Sequence, residues 1–330
     1  MALPFNNLSP LQIDRGLAPT KEFDFTKATL PQGVVLTRTT VATSGLWTDA
    51  PGSSYTSYAI DEARVGQADG MGLLIEGTRV NRFRNSAAPA NHTTPSIPTG
   101  TYTVWMIGTG TLTVAANTAV GTGFGSVTAG SLLTVVISTA GTVDVTITGS
   151  VDRIQWENGS DPTSFIVTGA SGATTRAVDL CAWNATFGTA ATLLAWASVN
   201  FVPANINQWV ANITNTAFSQ YMGIRNPIST SGYQGADNAP SGPGVALPVM
   251  GTIVANQNYW FGISVNGSVA VQTNQENAID GRAGAMPQGD TMIAFGSLSN
   301  TSAQHINGFI GKVKYWNWAL SASEMRRAMT

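Results

Sequence analysis

Two histidines, His92 and His305, and one cysteine, Cys181, supply all the imidazole and thiol in this chain of 330 residues. Neither histidine lies in a recognisable nucleophile motif with a serine or cysteine, and His92, in NHTTPSIP, reads as a loop residue. One cysteine excludes an intramolecular disulfide and any multi-cysteine metal site, so Cys181 reads as a small apolar side chain beside Trp183. Carboxylate pairs that could run a glycosidase are Asp61 with Glu62, Glu157 with Asp161, and Asp280 with Asp290; all three fall at predicted turns or strand ends, where acids are common anyway. GTGFGS over residues 121–126 has the glycine content of a phosphate-cradling loop, but SVTAGSLLTVV continues it as β structure, which predicts a hairpin. No catalytic residue is assigned, and the chain is not expected to be an enzyme.

Aromatic and amide side chains carry a different chemistry. A pyranose offers an apolar face of C–H groups to Trp or Tyr, while its hydroxyls are taken by Asn, Asp and Gln. The candidates are Trp196 and Asn200 on one predicted strand face, and Tyr221, Tyr233, Asp237 and Asn238 around a long loop over residues 226–250. Core packing is the competing reading for Trp196, as it is for Trp183, Trp260, Trp316 and Trp318.

The elements that would position these residues are strands. TYTVWMI, TLTVAA, SLLTVVIS and TVDVTIT are separated by glycine-bearing turns at sandwich spacing, and Val143, Val145 and Ile147 alternate with polar residues. TLLAWASVNF puts Leu193, Ala195, Ala197, Val199 and Phe201 on one face and Leu194, Trp196, Ser198 and Asn200 on the other. Further strands are expected at QWVANIT, FSQYMGIR, NYWFGISV, VAVQT, TMIAFG and GFIGKVKYWNWAL. Ser321 and Glu324 stand at capping-box spacing and predict a short terminal helix. Glu76 is expected to form a structural ion pair with an arginine, with Arg79, Arg82 and Arg84 nearby in sequence.

The fold class is therefore all-β: two tandem, jelly-roll-like β-sandwiches. The expected division is an arm over residues 1–20, a β-rich region and first sandwich over 21–168, a small-residue linker over 169–175, and a second sandwich over 176–330 closed by the helix. With 43% hydrophobic residues the chain can bury a core in each unit. A net charge of −2 and only 10% charged residues argue against a nucleic-acid partner. MALPFNNLSP has no basic and apolar signal-peptide pattern, and no apolar run is long enough to insert as a membrane helix.

Three blocks, FDFTKATLPQGVVLTR, GLLIEGTRVNRFRNS and QWENGSDPTSFIVTGASGATTRAVD, with the ending KVKYWNWALSASEM, resemble a recurrent architecture of tailed-bacteriophage virion proteins. The resemblance implies a carbohydrate-binding-module-like sandwich followed by a concanavalin A-like, laminin-G-like lectin domain. It also implies a head fibre, spike or tail fibre located in the virion. Its partners would be other virion proteins through the N-terminal region, host cell-surface polysaccharide, and two further copies of the chain in a homotrimer. No cofactor is expected. Calcium, which many laminin-G-like domains bind through loop oxygens, would be sought at Asp237 with Asn238 or Asp280 with Asp290, although no EF-hand spacing is present. A depolymerase or glycosidase, and a purely architectural capsid decoration protein, are the alternatives.

Overall fold

The structure is a computed structural model that describes residues 17–65, 71–200, 207–215, 217, 219–227, 232–238, 248–266, 269–274, 278–283, 286, 289, 291–298 and 304–330. Most of the expected N-terminal arm lies outside these residues. Among the described residues the first strands are β1 (Lys21–Asp24), β2 (Val34–Thr37), β3 (Ala42–Thr43), β4 (Ser57–Tyr58) and β5 (Leu73–Ile75). A middle group follows: β6 (Arg79–Asn81), β7 (His92–Thr93), β8 (Gly100–Gly108), β9 (Thr111–Ala116), β10 (Val120–Thr122), β11 (Gly125–Val127), β12 (Leu133–Thr139), β13 (Val143–Thr148), β14 (Val151–Asn158) and β15 (Thr174–Arg176). The last group is β16 (Leu180–Asn184), β17 (Ala190–Val199), β18 (Gln208–Thr214), β19 (Tyr221–Asn226), β20 (Gln234–Asn238), β21 (Tyr259–Asn266), β22 (Val269–Asn274), β23 (Ala278–Ala283), β24 (Met292–Phe295), β25 (Gly308–Trp316) and helix α1 (Ala322–Arg327).

The fold is all-β, with two sandwiches and a short closing helix, as the patterning predicts. The first sandwich stacks β10-β12-β8-β14-β6-β15 on β11-β9-β13-β7. Its core is filled by the alternating inward residues of these strands, among them Val104, Met106, Leu112, Val114, Val143, Val145, Ile154 and Trp156. Each such side chain taken from water contributes about 1.5–3 kcal/mol. The glycine-rich segment over 121–126 is not a hairpin: β10 pairs with β12 and β11 with β9, so the chain crosses from one sheet to the other. Gly123 makes the crossing possible, because its φ is +81° and a Cβ there would lie 2.1 Å from the Thr134 carbonyl oxygen.

The second sandwich stacks β1-β25-β17-β21-β22-β23 on β2-β16-β24-β18-β19-β20. Three of its strands come from the region that the sequence reading gives to the first unit. Lys21–Asp24 pairs with Lys312–Tyr315, Leu73–Ile75 pairs with Gly308–Ile310 on the same edge of β25, and Val34–Thr37 pairs with Leu180–Trp183. The first sandwich, residues 79–176, is thus inserted between β5 and β16 of the second. The boundary drawn at 169–175 falls inside this insertion, because Thr174–Arg176 is a strand hydrogen-bonded to β6. Strands of three or four residues carry too little periodicity to name their partner, and the partner here lies at the far end of the chain.

Along β17 the alternation is as expected: Leu193, Ala195, Ala197 and Val199 enter the main core, while Leu194 and Trp196 turn outward under α1. The helix is fixed by the full capping box, with Ser321 Oγ accepting from Glu324 N–H and the Glu324 carboxylate accepting from Ser321 N–H. Met325, Ala328 and Met329 then cover Trp260 and Trp316. Cys181 is buried in the main core, where burial pushes its thiol up and leaves it inert.

Candidate functional site

The six candidate residues separate into three places. Trp196 lies half-buried on the outer face of β17, flat over Gly311, where a Cβ would come within 2.1 Å of the indole Cε3. Its expected polar companions are not available to a ligand, since Ser198 and Asn200 are buried. Tyr233 is also buried: its ring packs edge-on against Phe261 at 5.9 Å and its hydroxyl donates to the Ala197 carbonyl at 3.2 Å. Burial pushes that phenol well up.

Tyr221 and the backbone of Asp237 and Asn238 lie on neighbouring strands at the last described edge of one sheet. Tyr221, at the start of β19, stands opposite Asn238 on β20, and Met222 stands opposite Asp237. The strand β20 sits inside what the sequence reading takes as a loop, and it is the last strand of its sheet among the described residues. The side chains of Asp237, Asn238 and Asp280, and all of Asp290, lie outside the described residues. Among the described residues no cluster of three or more His, Cys, Asp or Glu side chains is placed to hold a metal ion.

What supports Tyr221 is absent from the sequence reading. Its ring rests edge-on against the fully buried Trp209, with centroids 4.8 Å apart at 73°. The Arg225 guanidinium lies 5.6 Å from the same indole, and its Nε and Nη2 donate to Gln234 Oε1 at 3.1 and 3.0 Å. Trp209 Nε1 donates to Gln304 Oε1 at 2.9 Å. From the other sheet, Gln272 Oε1 accepts from Gly235 N–H at 2.8 Å, which ties down β20. Burial draws the Arg225 guanidinium below its ordinary value. A rigid aromatic edge beside planar hydrogen-bonding groups can stack on a sugar ring and bind its hydroxyls. Trp209 eludes strict alternation because β18 has a bulge between Trp209 and Ala211, so Val210 and Ala211 both enter the core and Trp209 turns outward.

The carboxylates and arginines occupy another region, the junction between the sandwiches. On β14, Ile154 and Trp156 point into the first core, while Arg153, Gln155 and Glu157 form a buried polar stripe on the opposite face. That stripe binds the returning chain. Gln155 Oε1 accepts from Ile166 N–H at 2.6 Å, Gln155 Nε2 donates to the Ser164 carbonyl at 3.1 Å, and Glu157 accepts from Thr163 N–H at 2.8 Å. Ser164 in turn donates its N–H and hydroxyl to Glu76, each at 2.6 Å.

Glu76 also accepts from Arg64 at 2.7 Å and Arg176 at 2.6 Å. Asp179 binds Arg38 at 2.9 Å and also Arg64. The expected ion pair at Glu76 therefore exists, but its partners are remote arginines; Arg79 instead faces Glu157 at 3.9 Å. Burial alone would push the Glu76 carboxyl up, yet Arg176 and Arg64 hold it down at about 2. For Glu157 and Asp161 burial prevails and both carboxyls are raised. These two acids are buried, so the pair offers no open cleft to a polysaccharide. Asp61 and Glu62 accept from the Arg38 and Ala59 amides in a turn. His305 is buried and its ring is held neutral, down at about 4, chiefly by burial, whereas His92 binds the Ala90 carbonyl at 2.8 Å.

The site thus defines an all-β sandwich protein with an aromatic sheet edge. No family model matches the chain, and no curated protein does. Among solved structures, the CBM40 of Ruminococcus gnavus IT-sialidase bound to alpha2,3 sialyllactose covers 43% of this chain and 82% of its own, at 12% identity and a TM-score of 0.36. Domains LG4-5 of the mouse laminin alpha1 chain cover 83% of this chain and 96% of their own, at 12% identity and a TM-score of 0.26. Leech intramolecular trans-sialidase complexed with 2,7-anhydro-Neu5Ac covers 43% of this chain and 23% of its own, at 14% identity and a TM-score of 0.34. Likenesses this distant carry no argument about ligand, and the sandwich assignment rests on the strand pairing above.

Proposed function

We propose that this chain is a non-catalytic glycan-binding component of a bacteriophage virion, carried on a head or tail fibre or spike as a homotrimer. The glycan is a host-surface polysaccharide, and the N-terminal region attaches the protein to its virion neighbours. The observation that supports binding is Tyr221 braced on Trp209 beside the Arg225–Gln234 pair, next to β20, the last described strand of its sheet. The virion setting rests on the resemblance of the three sequence blocks. The depolymerase alternative has no observation in its favour among the described acids: Glu157 and Asp161 are buried at the junction, and Asp61 and Glu62 accept backbone amides in a turn.

The test is a glycan array probed with the full chain and with Tyr221→Ala, in calcium and in chelator. The expected result is binding to a host polysaccharide that the substitution weakens at least about tenfold, with no new reducing ends released. Absence of binding by the folded full chain, together with fragile particles when the protein is missing, would favour the architectural reading instead.

A further inference from the structure

The junction contains an opening that glycan binding does not use. A cavity of about 220 Å³ lies between the segment around β3 and β4 and the irregular return at residues 165–167. Val41, Tyr55, Phe165 and Val167 give it apolar walls, and the chain reaches it again at Thr174 and Arg176. Val41 and Val167 are 64% and 40% exposed, so the cavity has an apolar mouth open to solvent. A cavity of about 150 Å³ holds benzene, so this one has room for on the order of nine non-hydrogen atoms. A pyranose is a poor match, because most of its hydroxyls would face hydrocarbon.

One wall carries a buried cation, Arg176. The surrounding buried cluster is balanced, with Arg38, Arg64, Arg79 and Arg176 against Glu76, Glu157, Asp161 and Asp179. Arg176 is 1% exposed; its Nη1 and Nη2 are taken by Glu76, Ser164 and Gly77, while its Nε has no acceptor. Burial outweighs Glu76 and draws the Arg176 guanidinium below its ordinary value. A buried guanidinium donor short of an acceptor favours an anionic group arriving through the cavity.

We propose that this cavity binds a small monocarboxylate with an apolar ring or short hydrocarbon body, the carboxylate meeting Arg176 and the body lying between Tyr55, Phe165 and Val167. The proposal is independent of the glycan-binding edge, which lies on the β2-β16-β24-β18-β19-β20 sheet of the second sandwich.

Benzoate is the probe, titrated into the full chain by calorimetry and saturation-transfer NMR, with benzyl alcohol as the neutral analogue. The expected dissociation constant for benzoate is about 1 mM or tighter, with benzyl alcohol at least about tenfold weaker. Val167→Trp fills the mouth and should weaken benzoate at least about tenfold, while Val120→Trp, at an exposed valine of the first sandwich, should leave it unchanged. Both positions are exposed, so neither variant threatens folding. Equal binding of benzyl alcohol, no saturation by about 20 mM benzoate, or indifference to Val167→Trp would each overturn the proposal.

Discussion

The junction and the β19–β20 edge differ in what holds them and in how visible they are. The junction gathers charged groups from residues 38, 64, 76, 176 and 179, nearly all fully buried, and Glu76 and Asp179 are each tied to both guanidinium and backbone. The edge has one half-buried tyrosine propped on a buried tryptophan. The most recognisable blocks of sequence, LLIEGTR and QWENGSDPTSFI, build the junction. A motif rich in Glu, Asp and Arg can thus be an architectural signature, because burying charge demands a fixed set of partners, whereas a binding surface needs only a few groups that water can reach.

The contrast can be broken most directly by cutting the chain at the exposed residues 169–171. Because β1, β2 and β5 lie in sheets completed by residues after 176, the nicked protein should remain one particle in native mass spectrometry and separate only in denaturant. Two independently eluting fragments would refute the insertion. Glu76→Gln should come next in size: it leaves Arg64 and Arg176 short of a counter-charge and should cost about 3–5 kcal/mol in urea unfolding.

Acid probes the same group without mutation. The folded Glu76 carboxyl titrates at about 2, below its ordinary 4.5, so its contribution, about 3 kcal/mol, is present above pH 4.5 and lost as pH falls through 2. Glu157, whose carboxyl is raised, acts in the opposite sense, so the Glu76→Gln variant should show a flatter acid limb than the parent in pH-dependent melts.

At the edge, Tyr221→Ala should weaken glycan binding while moving the melting temperature little. Trp196→Ala should do the reverse, costing about 2 kcal/mol of stability through lost packing on Gly311 and Trp260 with binding unchanged. If Trp196→Ala abolished binding and Tyr221→Ala did not, the site would move to the opposite sheet. The smallest effect is expected at Ser321→Ala, about 1 kcal/mol for the lost cap of α1, read by thermal melts.

Much of the fold was legible in the residues. Long strands such as β8, β14 and β17 alternate cleanly, and the capping box announced α1. What the sequence could not reveal was partnership. Phe23 and Leu36 sit in strands of four residues whose partners are Val313 and Cys181, and nothing local encodes that distance. The candidate site was harder to read for a related reason. Tyr221 and the backbone of Asp237 and Asn238 fall on paired strands, but Trp209 was hidden by a bulge that reverses its side, and Tyr233 and Asn200 look polar enough for a surface while being enclosed. Arg225 and Gln234 gave no signal in isolation, since their value lies in a pairing across two strands.

The pairing of β1 with β25 has a consequence for synthesis. Thr20 and Asn317 hydrogen-bond across a separation of 297 residues. On the ribosome the inserted sandwich is complete once residue 176 emerges, and it can collapse while translation continues. Its host must keep β1, β2 and β5 unpaired until β16 and β25 have left the exit tunnel, so strands made early wait for partners made much later.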